Sequence, residues 1–475
     1  MTGTSVIAGM MKNNSNIDRA PCLSSASHLA RPKVIARRLS PLFGLFLLLF
    51  LFTAVTTASA ESVLLQHAIV HTVSGETLPH GSVLIQSGKI VGVFDETQPT
   101  RITYPADATL VDLQGQHLYP GIIALNSALG LGEIDAVRAT QDTTEVGDYR
   151  PDVQSWIAVN PDSELIPVTR ANGITHAEPA PQGGVVGGLS ALIALDGWTT
   201  EQMTIKHPVA LHLYWPSMEL NTTPKEKFKD ESKYKSLEDQ AKERKAKFKA
   251  LDDFFLEARA YARARTAGNS DINPPWEAML PVARGQIPIM VHAHDVREIK
   301  AAVKWAQTND YKIILAGGRD AWQVADLLAA RQIPVIYEST WTLPQHDHEA
   351  YDVHFRAPEL LRKAGVKVVF GNGSGSFDAA MAKNLPYAAA QAVAFGLPES
   401  EALKGLTLYP AQLLGVADRL GSIEPGKEAT FFVADGDILD LRVNVKRMWI
   451  AGHEVSLESR HTRLYEKYKN RPRPK

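Results

Sequence analysis

The chain is 475 residues long, about three times the size of an ordinary domain, which allows one barrel-sized domain or two to three smaller ones. Its hydrophobic fraction of 45% and charged fraction of 21% are typical of a globular protein and exclude extensive disorder, a collagen-like fibre and a coiled coil. The formal charge is −2, and acidic residues outnumber basic ones after residue 60. This charge balance excludes a surface built to bind nucleic acid.

Residues 1–60 have the pattern of an export signal. Six basic residues and one acid, Asp18, are found there, and the apolar run 42–55 leads into Ala58-Ser59-Ala60. The pattern predicts a signal peptide cleaved after Ala60 and a periplasmic or otherwise exported protein. An uncleaved membrane anchor is the alternative, which the run disfavours because it is shorter than the roughly 20 residues needed to span a bilayer. Membrane contact is expected only through this signal.

The only cysteine, Cys22, lies before the predicted cleavage point. The mature chain therefore has no disulfide, no thiolate metal site and no catalytic cysteine. A disulfide-free domain with a large core and an export signal is consistent with a bacterial periplasm.

Both ends of the mature chain are rich in short β-strands. The segments 81–85 and 89–93 are joined by the turn Ser87-Gly88, which predicts a hairpin. The segments 429–434 and 443–450 repeat this pattern near the other end. We therefore expect one composite β-sandwich assembled from residues 61–119 and 415–460.

The middle of the chain alternates apolar strands with amphipathic helices, which predicts a parallel sheet buried on both faces. The expected strands are 121–124, 173–176, 208–214, 287–291, 311–315, 333–337 and 366–370, and the expected helices are 295–307, 321–330 and 358–363. A closed α/β barrel over residues 120–414 is the best interpretation. The segment at about 225–250 interleaves acids and bases, and is interpreted as a solvated helix inserted in the barrel.

Two histidines follow the strand at 287–291. His292 and His294 are two residues apart, so on a strand both side chains project to the same face and could bind one metal ion. A catalytic zinc normally has three protein ligands, and Asp295 is the candidate third, although its side chain starts toward the opposite face. A second run of side chains has the residue types of a transition-metal site, but we interpret its histidines as surface residues. The run consists of His346, Asp347, His348, Glu349 and His354.

Several motifs spread over the mature chain resemble the amidohydrolase superfamily, closest to its imidazolonepropionase-like and related exported branches. They are the stretches 81–85 with 88–90, 111–115 running into 119–123, 172–175, 407–411 and 421–429. The resemblance implies a metal-centred (β/α)8 TIM-type barrel with a β-sandwich built from both ends. It also implies a hydrolase that acts on carbon–nitrogen bonds other than peptide bonds.

The chain departs from this family at the metal ligands. The positions of the family's first-strand histidine pair hold Asn126 and Ala128, while His292 matches the strand-five histidine. The strand-six histidine falls at Ala316 or its neighbour Gly317, and the strand-eight aspartate falls at Gly373 in the stretch 371–374. Asparagine is a poor ligand for zinc and alanine or glycine side chains offer none, so the usual metal centre is not expected.

Two hypotheses follow. In the favoured one, the barrel has a degenerate, non-catalytic metal site and binds a small molecule or an active amidohydrolase relative. In the alternative, an atypical mononuclear site with His292 and His294 holds zinc or another divalent metal and supports hydrolysis. No other cofactor and no nucleic acid partner is expected. The candidate pocket residues are His292, His294, Asp295, Asn126 and Asn372.

Overall fold

The computed structural model describes residues 62–99, 102–269 and 271–472. The predicted signal segment and its cleavage point after Ala60 lie outside the described residues. The strands are β1 (Ser62–Val70), β2 (Leu78–Gln86), β3 (Lys89–Asp95), β4 (Thr109–Asp112), β5 (His117–Pro120), β6 (Ile122–Ser127), β7 (Ile174–Pro179), β8 (Val186–Ala194), β9 (Thr204–Tyr214), β10 (Ile289–Ala293), β11 (Ile313–Gly317), β12 (Val335–Tyr337), β13 (Val368–Phe370), β14 (Phe431–Ala434), β15 (Val445–Ile450) and β16 (His453–Glu454). The helices are α1 (Leu165–Arg170), α2 (Thr200–Met203), α3 (Leu237–Thr266), α4 (Pro274–Ala283), α5 (Val296–Asn309), α6 (Ala325–Ala330), α7 (Val353–Lys363), α8 (Ser376–Met381), α9 (Leu385–Ala394), α10 (Glu399–Leu406), α11 (Leu408–Leu413) and α12 (Arg460–Lys469).

The middle of the chain forms a nearly closed barrel sheet with the strand order β13-β12-β11-β10-β9-β8-β7-β6. Its interior is filled by apolar side chains that include Met290, Ile314, Ile336 and Val369, each at most 3% exposed. Burying a side chain of this size stabilises the fold by about 1.5–3 kcal/mol. The carboxyl ends of the parallel strands lie at one end of this barrel sheet, and barrel enzymes have their active sites at that end.

One barrel strand departs from the predicted parallel pattern. β8 pairs antiparallel with both β7 and β9, so seven of the eight barrel strands run in one direction. β8 is not among the predicted strands, although all nine of its residues are buried. An antiparallel strand needs no crossover helix, so β8 carries no βαβ signature that periodicity could detect.

The two ends of the mature chain share one eight-stranded sheet. Its order is β16-β15-β14-β5-β1-β2-β3, and β4 pairs with β1. The joint is the antiparallel pair of β14 with β5, in which Phe431 faces Pro120 and Ala434 faces His117. The expected composite sheet is therefore present, while its two-layer sandwich form and the domain limits at residues 120 and 414 stay predictions.

The charged insertion forms the long helix α3, which begins and ends later than the sequence predicted. Short 3-10 turns at Lys225–Lys227 and Glu231–Lys233 precede it. On its solvent side Lys242 pairs with Glu238 at 2.9 Å, as the solvated-helix interpretation expects. The helix continues to Thr266 because Leu251, Phe255 and Ala258 recur at helical spacing and are buried. Within the described ranges, no helix is both long and apolar enough to cross a membrane.

Candidate functional site

A chain of hydrogen bonds links three strands at the barrel mouth. Glu178 on β7 and His212 on β9 are fully buried, and Glu178 Oε1 lies 2.9 Å from His212 Nε2. The other ring nitrogen of His212, Nδ1, lies 3.0 Å from Nε2 of His292 on β10. A carboxylate only accepts hydrogen bonds, so His212 donates from Nε2. In either protonation state of His212, the Nε2 atom of His292 is engaged by this chain.

Glu178 is the fixed end of the chain. Ser190 donates from Oγ to Glu178 Oε1 at 2.5 Å, and the backbone N–H of Asn126 donates to Oε2 at 2.8 Å. Together with His212, three donors satisfy this buried carboxylate, which is the usual condition for burying a charge. The carboxylate therefore holds His212 in one orientation and, through it, the ring of His292.

The ring of His292 is also held on its face. Tyr214, at the end of β9, stacks on it with ring centroids 4.0 Å apart and an interplanar angle of 12°. The Tyr214 hydroxyl donates to the carbonyl oxygen of Pro181 at 2.9 Å, and burial raises the pKa of Tyr214 above its usual value. Burial and the neighbouring His212 lower the pKa of His292 well below its usual value. His292 is consequently a neutral imidazole at physiological pH.

Glu338 adds a protonatable carboxyl to the same mouth, directly after β12. Asn126 on β6 has a φ of 50°, in the left-handed region that asparagine tolerates better than most residues, and its Nδ2 donates to Glu338 Oε1 at 2.5 Å. Burial raises the pKa of Glu338 to about 7, and the carboxylates of Asp378 and Glu178 add to this rise. A carboxyl that titrates near neutral pH can donate or accept a proton, so it suits acid–base chemistry or a switchable contact with a ligand.

The loop after β13 places Gly373 close to two carboxyl groups. Gly373 has a φ of +93°, and a Cβ atom at this residue would lie 3.0 Å from Asp378 Oδ2 and 3.8 Å from Glu338 Oε2. Gly373 is the position of the family's strand-eight aspartate. Carboxyl groups from α8 and from the end of β12 therefore border the space that the missing aspartate side chain would enter.

The candidates that the sequence grouped after β10 have different partners. The His294 ring packs against Gly317, where a Cβ atom would lie 2.7 Å from His294 Nδ1, and His294 is near enough to His292 to help lower the pKa of His292. Asp295 caps α5 and holds Arg297 through both carboxylate oxygens at 2.9 Å. Asn372 donates from Nδ2 to the carbonyl oxygen of Met381 at 2.5 Å, which anchors its own loop. Asp295 and Asn372 thus have structural partners, and no contact joins either residue to His292.

The family's metal centre does not fit the residues present. By the resemblance, Asn126 and Ala128 stand at the positions of the first-strand histidines, and Gly373 stands at the position of the aspartate. The one matching ligand, His292, has Nε2 in a hydrogen bond to His212. Over the described part of the chain, no group of three or more His, Cys, Asp and Glu side chains has a geometry that could hold a metal ion. The donor chemistry, a neutral amide and two carboxyl groups around a glycine, differs from the histidine-rich set that zinc prefers.

The second histidine run has two different environments. His346 and His348 are exposed, and their rings stack with centroids 5.5 Å apart, as the surface interpretation predicts. His354 is 1% exposed and its Nδ1 lies 3.0 Å from the Tyr337 hydroxyl. The surface interpretation is therefore wrong for His354, because α7 begins at Val353 and turns this side chain toward the barrel.

Sequence reasoning missed five of the polar residues at the barrel mouth. They are Glu178, His212, Tyr214, Glu338 and Asp378. A usable signal existed for three of them, since His212 and Tyr214 lie in the last three residues of the predicted strand 208–214 and Glu338 directly follows the predicted strand 333–337. Glu178 gave no comparable signal because the predicted strand at 173–176 stopped before it, whereas β7 extends to Pro179.

A nearly closed eight-stranded barrel sheet with polar side chains at the carboxyl ends of its strands has the architecture of the TIM-type barrel class. The chain belongs to the amidohydrolase family, whose family model matches residues 200–455. It is similar to the crystal structure of an amidohydrolase from Thermotoga maritima MSB8, with 26% identity and a TM-score of 0.71 over 83% of this chain and 99% of that one.

Two curated proteins are similar in sequence. Amidohydrolase tasK of Hapsidospora irregularis is 23% identical over 418 residues, which cover 78% of this chain and 39% of that protein. This chain therefore spans well under half the length of that relative. An imidazolonepropionase of Shewanella baltica (strain OS185) is 36% identical over 77 residues, which cover 16% of this chain and 19% of that protein.

Proposed function

We propose that this protein binds a small-molecule ligand at the barrel mouth and does not hydrolyse carbon–nitrogen bonds through the family's usual metal-bound water. The observation that carries the proposal is the state of His292. It is the one residue that matches the family's ligand set, and its Nε2 is hydrogen-bonded to His212, which Glu178 holds in turn. Without a metal ion, bound water lacks the charge that lowers its pKa toward neutrality. We propose further that the protein is exported, with the signal cleaved after Ala60.

An active hydrolase with a single atypical metal ion is the second candidate. One observation favours it: the His294 ring lies against Gly317, in the region where the family has its strand-six histidine. A metal bound by His292 and His294 would require His292 to release His212 or to use its other ring nitrogen, Nδ1. The first route would break a buried hydrogen bond, and none of the described contacts places Nδ1 of His292 beside His294, which is the reason we place this candidate second.

Metal content and turnover separate the two candidates. Purified protein is analysed for metals and tested for hydrolysis of cyclic amides, N-acyl amino acids and dipeptides, with and without a chelator. The same measurements are made on His292→Ala and on His346→Ala, which removes an exposed histidine outside the barrel mouth. We expect substoichiometric metal and no chelator-sensitive turnover in all three proteins. Stoichiometric zinc that is lost in H292A and kept in H346A, with chelator-sensitive hydrolysis, would establish the second candidate instead.

A further inference from the structure

Two carboxyl groups at the barrel mouth have no cationic partner. Within the described segments, neither Glu338 nor Asp378 forms an ion pair. The charged groups that act on their pKa values are all acidic: Asp378 and Glu178 act on Glu338, and Asp135 acts on Asp378. Burial raises the pKa of both groups. Such a pair of groups favours a ligand that brings positive charge.

A third group beside them lacks a hydrogen-bond donor. Asn126 is 1% exposed, and its Oδ1 has no partner in the described residues, although Nδ2 of the same carboxamide donates to Glu338. Buried acceptors in folded proteins are almost always paired, so an unpaired one needs an explanation. A donor delivered by a ligand next to Glu338 would supply the missing partner.

The space between these groups suits a compact donor. Gly373 has no side chain there, and its hypothetical Cβ position is within 4 Å of both Asp378 Oδ2 and Glu338 Oε2. Among the described residues, Glu338 Oε1 already accepts from Asn126 Nδ2, and Asp378 Oδ2 accepts from the backbone N–H of Gly375. The two carboxyl groups and the Asn126 carboxamide therefore offer one further acceptor oxygen each, which matches the three N–H donors of a primary ammonium. A guanidinium presents five donors in a planar fork, and Ca²⁺ takes six to eight oxygen ligands. A set of three acceptors therefore fits a guanidinium or a calcium ion less well than it fits a primary ammonium.

We propose that the ligand of the barrel mouth carries a protonated primary amine, whose three N–H groups donate to Glu338, Asp378 and Oδ1 of Asn126. This inference rests on the proposed function, since it names the chemical class of the ligand that the same mouth binds. The ligand class is then small molecules with a primary ammonium group.

The test uses one probe and two isosteres of different charge. n-Butylamine hydrochloride, butan-1-ol and sodium butyrate are titrated into the purified protein near pH 8, and binding is followed by ligand-detected saturation-transfer NMR. The proteins are the wild type, Glu338→Gln, Asp378→Asn and the control Glu257→Gln, which removes an exposed carboxylate on α3. Circular dichroism and thermal unfolding check that each variant is folded.

We expect saturable binding of butylammonium alone, weakened about tenfold or more in E338Q and in D378N and unchanged in E257Q, because each site variant removes one charge-assisted hydrogen bond. Equal binding of butan-1-ol, no binding of butylammonium, or stoichiometric binding of added CaCl2 at the same residues would overturn the inference. If butyrate or butan-1-ol binds and the E338Q substitution abolishes that binding, the inference of an amine ligand is wrong, but the proposed function is still supported. Stoichiometric zinc lost in H292A would overturn the proposed function itself.

Discussion

Replacing Glu338 by glutamine should stabilise the protein at alkaline pH and leave it nearly unchanged at acidic pH. In the folded state the pKa of Glu338 is about 7, against an ordinary value of 4.5 in an unfolded chain. Below the lower value both states hold the proton. Between the two values the unfolded state releases the proton and the folded state keeps it, so the free energy of unfolding falls as the pH rises. Above pH 7 the whole loss is present.

The size of the effect follows from the same pKa. A rise from 4.5 to about 7 corresponds to about 3 kcal/mol, which is an upper limit because Glu338 is half-buried and solvent at the mouth screens its charge. Glutamine keeps an acceptor for Asn126 Nδ2 and does not titrate. We therefore expect the stability of E338Q, relative to the wild type, to increase by about 1–2 kcal/mol between pH 5 and pH 8.

Urea unfolding at these two pH values, followed by tryptophan fluorescence, measures this difference. Titratable groups elsewhere contribute equally to the pH dependence of stability in the wild type and in E338Q. The polar or charged groups that face Glu338 are Asn126, Glu178, Tyr214 and Asp378. The control Glu257→Gln should show no such pH dependence. A stability difference between E338Q and the wild type that is the same at both pH values, or that favours the wild type at pH 8, would refute the assigned burial of this carboxyl.

Three other outcomes are expected. Glu178→Ala should lower the free energy of unfolding by about 3 kcal/mol or more, because three buried donors lose their acceptor, and Glu178→Gln should lower it less. A decrease within about 0.5 kcal/mol for Glu178→Ala, measured by thermal or urea unfolding, would contradict the network. Deleting residues 429–475 removes β14, the strand that pairs with β5, so hydrogen exchange at Val83 in β2 should accelerate, and unchanged protection there would contradict a cooperative sheet. N-terminal sequencing of the protein from its native cell envelope should begin at Glu61, and an intact Met1 in soluble cytoplasm would contradict export.

Strand spacing predicted most of the barrel because parallel strands with helical crossovers leave a strong periodic signal. The predicted strands 287–291 and 311–315 are observed as β10 and β11, each shifted by two residues toward the carboxyl end. β8 left no such signal because its two antiparallel pairings need only tight connections. The resemblance predicts positions where family ligands are replaced, and this stays a prediction; it carried no information about the residues that surround those positions.

The site was harder to predict than the fold because it depends on contacts between distant segments. Asn126 and Glu338 are hydrogen-bonded although 212 positions separate them in the chain, and neither residue alone indicates the other. The pair His292 and His294 had the right spacing for a shared metal, yet β10 ends at Ala293, so His294 lies beyond the strand and meets Gly317. Alternation along a strand orients side chains only while the strand continues.

Two of the positions where the resemblance predicts a replaced ligand are glycines with close neighbours. At Gly373 the φ of +93° disfavours any side chain, and a Cβ atom there would lie against Asp378. At Gly317 the φ of +88° has the same effect, and the His294 ring occupies the place of a Cβ atom. His292 cannot act as a ligand through Nε2 without giving up its hydrogen bond to His212, which would leave Nδ1 of this buried histidine unpaired. Restoring the metal centre would thus require coordinated changes on several strands. The same contacts form an ordered polar mouth, which supports our proposal of a ligand site centred on Glu338.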